Sequence, residues 1–231
     1  MKKIITLLIT VILFCFISCS SNEQTLGVEQ VEIINKTTKE NAAVTFTTVK
    51  INAEIKSNNL SSVSSRGVCW STNPNPTVEN NIATAVNNTF SYTIINLIAN
   101  TKYYYRIFAT TTNGVVYSSN ETFTTLTLEN TIWKFATYYP PGLYSTGITI
   151  YSRVDFYENN TTKFDEIGVG QGYMITYGTW TLNGNTLTYL FEGSDTNNST
   201  YVYTGVLNGM TMNGAFTHPQ SPGTWTAAPL N

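Results

Sequence analysis

The sequence predicts an all-β fold in two consecutive units, a sandwich followed by an antiparallel meander that closes into a small barrel. Apolar side chains recur at every second position, as in Val49, Ile51, Ala53 and Ile55, which is typical of half-buried strands. Turn-forming Asn, Gly, Pro and Ser clusters interrupt these runs at short intervals. Aromatic residues make up 13% of the 231 residues and charged residues only 11%, a composition that favours strands over disorder or coiled coil.

The charge and the reactive residues narrow the range of functions. The chain has 12 Lys and Arg against 14 Asp and Glu, a net charge of -2, and such a chain presents no basic field to nucleic acid. Its single histidine, His218, and its three cysteines leave few ways to build a zinc site, a catalytic triad or a thiol–histidine pair. We therefore expect no nucleic-acid partner, no metal, no cofactor and no catalytic residues.

The N-terminus predicts export. Lys2 and Lys3 precede an apolar run over residues 4–17, which matches the charged and apolar regions of a secretory signal. As a helix this run would be about 21 Å long, against a hydrocarbon core of about 30 Å. A membrane span is therefore the less favoured alternative, and residues 1–18 are expected to be a signal peptide.

Phe16, Ile17, Ser18 and Cys19 follow the apolar run and resemble the lipobox of bacterial lipoproteins. The resemblance implies that Cys19 is the lipid attachment site and the first residue of the mature chain. An ordinary signal peptide that ends near Ser18 is the alternative. Acyl chains would hold the protein on a membrane, with residues 19–30 as anchor and polar tether. The expected location is the bacterial cell envelope, at the outer membrane or on the cell surface.

The first unit, residues 31–126, is predicted to be a β-sandwich. About seven short strands alternate with turn clusters at intervals typical of such folds, and Asn113-Gly114 is a strong hairpin signal. Residues 66–77 and 97–109 resemble the corresponding segments of fibronectin type III-like modules in Bacteroidetes-type surface lipoproteins. The resemblance covers residues 44–125 and implies that Tyr103 is the corner tyrosine of the sandwich.

The second unit, residues 131–231, is predicted to be a meander of eight strands. The first begins at residues 131–135, and the others span residues 148–157, 162–167, 173–182, 186–191, 201–207, 210–216 and 223–227. Closing a meander with such short turns removes its exposed edges, so we favour a small barrel over an open meander or a jelly-roll sandwich. Residues 131–135, 178–187 and 223–227 resemble bacterial lipocalin-like domains.

Several polar residues are candidates for chemistry. Glycoside hydrolysis requires two carboxylates, and three pairs are available, which are Asp155 with Glu158, Asp165 with Glu166, and Glu192 with Asp195. We interpret these pairs as solvated turn residues. The oxygen-rich segment 195–199 lacks the pattern of a calcium loop and is expected to be a simple turn. Cys69 is expected to be a buried, unreactive thiol, and His218 an exposed loop residue.

Three tyrosines are the candidate ligand-binding residues. Tyr138, Tyr139 and Tyr144 flank a Pro-Pro-Gly segment, which predicts a stiff loop at the barrel mouth. Tyrosine offers flat apolar area and a hydroxyl at small entropic cost, so this loop is the predicted ligand site. The alternative is that these rings cover the barrel end. We expect a non-catalytic lipoprotein that binds a glycan, a small apolar molecule or a protein; an enzyme of carbohydrate turnover and a purely structural envelope component are the alternatives.

Overall fold

In the computed structural model, the residues described are 30–142, 146–167, 175–192, 200–218 and 222–230. The predicted lipid site Cys19, the third predicted tyrosine Tyr144 and the segment 195–199 therefore lie outside the described residues. Within them the fold is all-β, with one 3₁₀ turn at Leu60–Ser62, as predicted. No helix among these residues is long and apolar enough to cross a membrane.

The first unit contains eight strands in two sheets. The strands are β1 (Val31–Asn35), β2 (Val49–Ser57), β3 (Ser65–Ser71), β4 (Asn81–Thr84), β5 (Thr89–Ile94), β6 (Lys102–Thr111), β7 (Gly114–Tyr117) and β8 (Glu121–Thr124). One sheet has the order β1-β2-β5, and the other has the order β4-β3-β6-β7 with β8 also paired to β6. The period-two residues Val49, Ile51, Ala53 and Ile55 are all buried between the sheets, because alternate side chains of a strand share one face.

The second unit contains the other eight strands. They are β9 (Thr131–Tyr139), β10 (Ile148–Phe156), β11 (Thr161–Ile167), β12 (Ile175–Asn183), β13 (Thr186–Glu192), β14 (Thr200–Asn208), β15 (Thr211–Thr217) and β16 (Gly223–Pro229). Each strand pairs with its neighbour in sequence, and β16 pairs with β9 to close the barrel. The predicted closed barrel is confirmed, and the two alternative architectures are wrong.

Aromatic rings fill the barrel. Trp133, Trp180 and Trp225 are 0%, 5% and 2% exposed, because strand alternation directs all three inward. Room for these rings comes from glycines: a Cβ atom on Gly205 would lie 2.4 Å from the Trp225 ring. Gly205 pairs with Gly214 across β14 and β15, and Gly214 pairs with Trp225. The missing side chains thus allow the indole to lie against the barrel wall.

The sandwich closes one end of the barrel. Phe46 is buried with the barrel core, and its ring centroid lies 5.4 Å from that of Trp133. Asn185, in the turn between β12 and β13, accepts a hydrogen bond from Ala99 N and donates one to Leu97 O, at 3.1 and 2.6 Å. These contacts cover the barrel end where β9 begins.

Candidate functional site

The opposite end of the barrel has an inner wall of stacked rings on one side. Phe164 and Phe191 stack with their centroids 4.7 Å apart, Phe191 and Tyr201 stack at 4.7 Å, and Tyr201 and His218 at 4.2 Å. The column runs from β11 across β13 and β14 to the end of β15. Gly178 lies between the first two rings on β12, where it pairs with Phe191, and it carries no side chain that would separate them.

The other side of the barrel interior combines Ile148 and Ile150 with polar residues. Ser152 on β10 pairs with Glu166 on β11, and the alternation of each strand directs both side chains into the barrel. Thr176 on β12 pairs with the interior residue Phe164, two positions from Glu166. Directly opposed side chains lie about 5 Å apart and diagonal ones about 7 Å apart. The three polar side chains therefore form one patch, and we call this patch, together with the rings of Tyr139, Tyr201 and His218, the cup.

Two hydroxyls in the cup are unsatisfied. Among the described residues, the Ser152 Oγ and Thr176 Oγ1 atoms are buried and have no hydrogen-bond partner. Buried polar atoms normally have such a partner, because leaving one unpaired costs about 1–3 kcal/mol. The cup thus contains two buried hydroxyls that have no hydrogen-bond partner among the described residues.

Burial raises the pKa of the Glu166 carboxyl above its ordinary value. No cation pairs with this carboxyl in the part of the chain that the structure describes. A protonated carboxyl both donates and accepts hydrogen bonds, whereas the ionised form only accepts. Both forms suit an uncharged, hydroxyl-bearing ligand better than an anion.

The predicted tyrosines do not share one surface. The expectation that Tyr138 and Tyr139 lie in a loop is wrong, because β9 continues through both and pairs Tyr139 with Ile148. Tyr139 points inward, where its ring packs against Phe216 at 4.9 Å, while Tyr138 lies on the outside of the barrel and is partly exposed. Tyr139 thus belongs to the cup and Tyr138 does not. A ligand site that uses all three tyrosines, including Tyr144, stays a prediction.

His218 is also placed differently from the sequence expectation. It is buried rather than exposed in a loop, because it continues the inward parity of Phe216 beyond the end of β15 and stacks on Tyr201. Pro219 follows His218 in the sequence and favours a turn there, but the sequence does not predict the ring contact with Tyr201.

The candidate carboxylates are separated or already paired. Asp165 and Glu166 are adjacent on β11 and therefore point to opposite sides of the barrel wall. The Asp155 carboxylate accepts two hydrogen bonds from Arg153, at 2.7 and 3.1 Å. Among the described residues, no group of three or more His, Cys, Asp or Glu side chains is placed to hold a metal ion.

Cys69 lies in the sandwich core, fully buried as predicted. Its thiol donates weakly to the carbonyl oxygens of Pro76 and Arg106, both at 3.4 Å. Burial raises the pKa of the Cys69 thiol to about 11. A thiol with this pKa is almost wholly protonated at neutral pH and is a poor nucleophile.

The polar wall of the cup was missed from the sequence. Ser152, Glu166 and Thr176 lie on three different strands, and the sequence pattern gives each residue's face but not the register between strands.

Comparisons with protein-family models, with curated proteins and with solved structures gave no match. The functional proposal therefore rests on the residues of the cup, which has polar side chains on one side and aromatic rings on the other.

Proposed function

We propose that the chain is a non-catalytic, lipid-anchored protein of the bacterial cell envelope, whose barrel binds a neutral saccharide in the cup. The observation that carries this proposal is the pair of buried, unpartnered hydroxyls of Ser152 and Thr176 beside Glu166. The sandwich, which resembles fibronectin type III-like modules, acts as a spacer. The barrel, which resembles lipocalin-like domains, presents the cup away from the membrane.

A saccharide fits the two sides of the cup. Its hydroxyls donate and accept hydrogen bonds, which matches Ser152, Thr176 and the carboxyl of Glu166. Its carbon-bound hydrogens form flat apolar faces, for which the edges of Tyr139 and Tyr201 provide contact area. A purely apolar ligand would leave the buried hydroxyls unsatisfied, and an anionic ligand would place a second negative charge beside Glu166.

The carboxylate geometry supports binding without catalysis. A glycosidase places two carboxylates on either side of one substrate bond. Here Asp165 and Glu166 lie on opposite sides of the wall, and Asp155 is held by Arg153. Among the described candidate pairs, this arrangement provides no second carboxylate that faces the cup with Glu166.

The saccharide site is tested with the full chain, purified from membranes in detergent. A panel of neutral mono- and disaccharides is titrated by calorimetry, and Thr176→Val is compared with wild type. Losing one hydrogen bond should weaken affinity by about 3- to 10-fold. Thr179→Val is the matched control, because Thr179 lies on the same strand but on the exposed outer face. Absence of binding to every sugar, or equal affinities of the two variants, would overturn the cup proposal.

The anchor is tested separately by membrane fractionation. Cys19→Ser should release the protein into the soluble fraction and abolish incorporation of labelled palmitate, since a diacylated cysteine is the proposed anchor. Cys15→Ser is the control, because Phe14 precedes Cys15 and the lipobox requires a small residue there. Palmitate labelling that survives Cys19→Ser would contradict the anchor.

A further inference from the structure

The outer face of the barrel carries a regular arrangement of four charges, separate from the cup. Arg153 and Asp155 lie two residues apart on β10, and Lys163 and Asp165 lie two residues apart on β11, so each pair shares the outer side of its strand. The antiparallel register places Arg153 opposite Asp165 and Asp155 opposite Lys163. Each charge thus has an opposite charge beside it, both along its strand and across to the next. We call these residues the ion-pair quartet.

One ion pair of the quartet is hydrogen-bonded and the other is a longer contact. Arg153 Nε lies 2.7 Å from Asp155 Oδ1, and Lys163 Nζ lies 3.9 Å from Asp165 Oδ2. Asp155 is only 8% exposed although it points outward, because its neighbours cover it. A fixed carboxylate with a fixed guanidinium provides acceptors and donors at set positions, which lowers the entropic cost of binding.

Tyrosine rings border the quartet. Tyr177 on β12 pairs with Lys163 and is 67% exposed, and Tyr157 follows Asp155 at the end of β10 and is 37% exposed. The Tyr157 hydroxyl lies 3.5 Å from Asp155 Oδ2. We call the quartet with Tyr157 and Tyr177 the outer face.

The outer face differs from a typical protein interface in where its charged and aromatic residues lie. Protein interfaces have a central region depleted of charge and a polar rim, whereas here charges lie in the centre and aromatic rings at the border. The quartet contains two positive and two negative groups, so it offers no net attraction to nucleic acid, anionic lipid or an acidic polysaccharide. Alternating donors and acceptors beside stacking rings are instead complementary to a neutral sugar chain, whose hydroxyls both donate and accept.

We propose that this outer face of β10, β11 and β12 binds a neutral polysaccharide, with Tyr177 stacking on a sugar ring and the quartet hydrogen-bonding its hydroxyls. The site goes beyond the cup, because its residues lie on the opposite side of the barrel wall. It can therefore hold a chain that is too long to enter the barrel end.

The test is affinity electrophoresis of the full chain through native gels that contain dextran, amylopectin, xylan, galactomannan or mixed-linkage β-glucan. At least one of these neutral polysaccharides should retard the wild-type protein. Tyr177→Ala should weaken retardation about 5- to 10-fold, because one stacking ring is lost, and Tyr177→Phe should retain it within about twofold. Tyr104→Ala, which removes a half-buried tyrosine of the sandwich, is the matched control and should leave binding unchanged.

The cup variants separate the two proposals. Thr176→Val should leave polysaccharide retardation unchanged, even where it weakens binding of small sugars. If Thr176→Val reduces retardation as much as Tyr177→Ala does, both ligands use the cup, and the outer-face site is wrong. The proposal is also overturned if no neutral polysaccharide retards the chain, or if Tyr177→Ala is retarded as strongly as the wild-type protein.

Discussion

The sandwich and the barrel bury their strands with different side chains. Between the sandwich sheets lie mostly aliphatic groups, such as Val49, Ile51 and Val68, whereas the barrel core is built from rings such as Trp133, Phe135 and Tyr189. Two sheets pack about 10 Å apart, a gap that interdigitating aliphatic groups fill. An eight-stranded barrel encloses a wider space that side chains just fill, and large rings fill it with few residues.

The difference has consequences for stability and for function. The buried hydroxyls of Tyr103 and Tyr105 in the sandwich each accept a hydrogen bond, whereas the buried Tyr189 hydroxyl in the barrel has no partner among the described residues. The unsatisfied hydroxyls of Ser152 and Thr176 lie in the same unit. We therefore assign binding to the barrel, whose interior holds these unpartnered hydroxyls, and propose that the sandwich is a spacer.

The largest expected effect is on the barrel core. Trp225→Ala removes an indole that stacks on Phe135 with centroids 4.9 Å apart and donates to Ala215 O at 3.0 Å. Such a truncation should lower the free energy of unfolding by about 3–5 kcal/mol, measured by urea denaturation with near-ultraviolet circular dichroism. Thr226→Ala, on the exposed side of the same strand, should change it little. A decrease in the free energy of unfolding below about 1 kcal/mol would show that the aromatic rings do not dominate the stability of the core.

The next effect tests whether the two units are independent. Phe46 belongs to the sandwich, yet its ring packs on Trp133 in the barrel. Phe46→Ala should therefore lower the free energy of unfolding of the barrel by about 3 kcal/mol. The fragment of residues 131–231 should still fold alone, with lower stability than in the full chain because Phe46 and Leu128 are missing. Val86→Ala, at a fully solvated position, is the control. An unchanged barrel transition in Phe46→Ala would mean that the units are uncoupled.

Alkali should distinguish the barrel from the sandwich. Burial raises the pKa of Tyr189 well above its ordinary value and also raises the pKa of Tyr203. Both therefore stay protonated in the folded state while the unfolded chain loses protons, so their stabilising contribution is complete below about pH 10 and is lost as the pH rises above it. Each tyrosine should cost about 1.4 kcal/mol per pH unit in that range.

The measurement is urea denaturation at pH 8 and pH 11 with barrel and sandwich signals followed separately. Tyr189→Phe should reduce the alkaline loss, and Tyr177→Phe, which alters an exposed ring, serves as the control for removing a hydroxyl. An alkaline loss that is equal in wild type and Tyr189→Phe would contradict the role of the buried hydroxyl.

Strand positions could be predicted because they depend on local sequence. Alternation and turn residues placed seven of the barrel strands within about two residues of their observed ends, whereas β9 continues four residues beyond the predicted residues 131–135. The register between strands depends on contacts distant in sequence, so the pairing of Ser152 with Glu166 and the ion-pair quartet were not predicted. The sequence around Asn185 is typical of a hairpin turn, and only the fold shows that this residue forms hydrogen bonds with the sandwich.

The smallest expected effect compares one tyrosine hydroxyl in each unit. The Tyr103 hydroxyl accepts a hydrogen bond from Ile98 N at 3.0 Å, five residues upstream, as a corner tyrosine would. Tyr103→Phe keeps the ring contact with Phe123 but leaves a backbone N–H unpaired, which should cost about 1 kcal/mol. Tyr189 has a buried hydroxyl without a hydrogen-bond partner among the described residues, so Tyr189→Phe should leave stability at neutral pH unchanged or increase it. Both variants are measured by urea denaturation at pH 7. Equal losses in the two variants would mean that the hydrogen-bonded Tyr103 hydroxyl and the unpartnered Tyr189 hydroxyl contribute equally to stability, and the contrast between these two hydroxyls would be wrong.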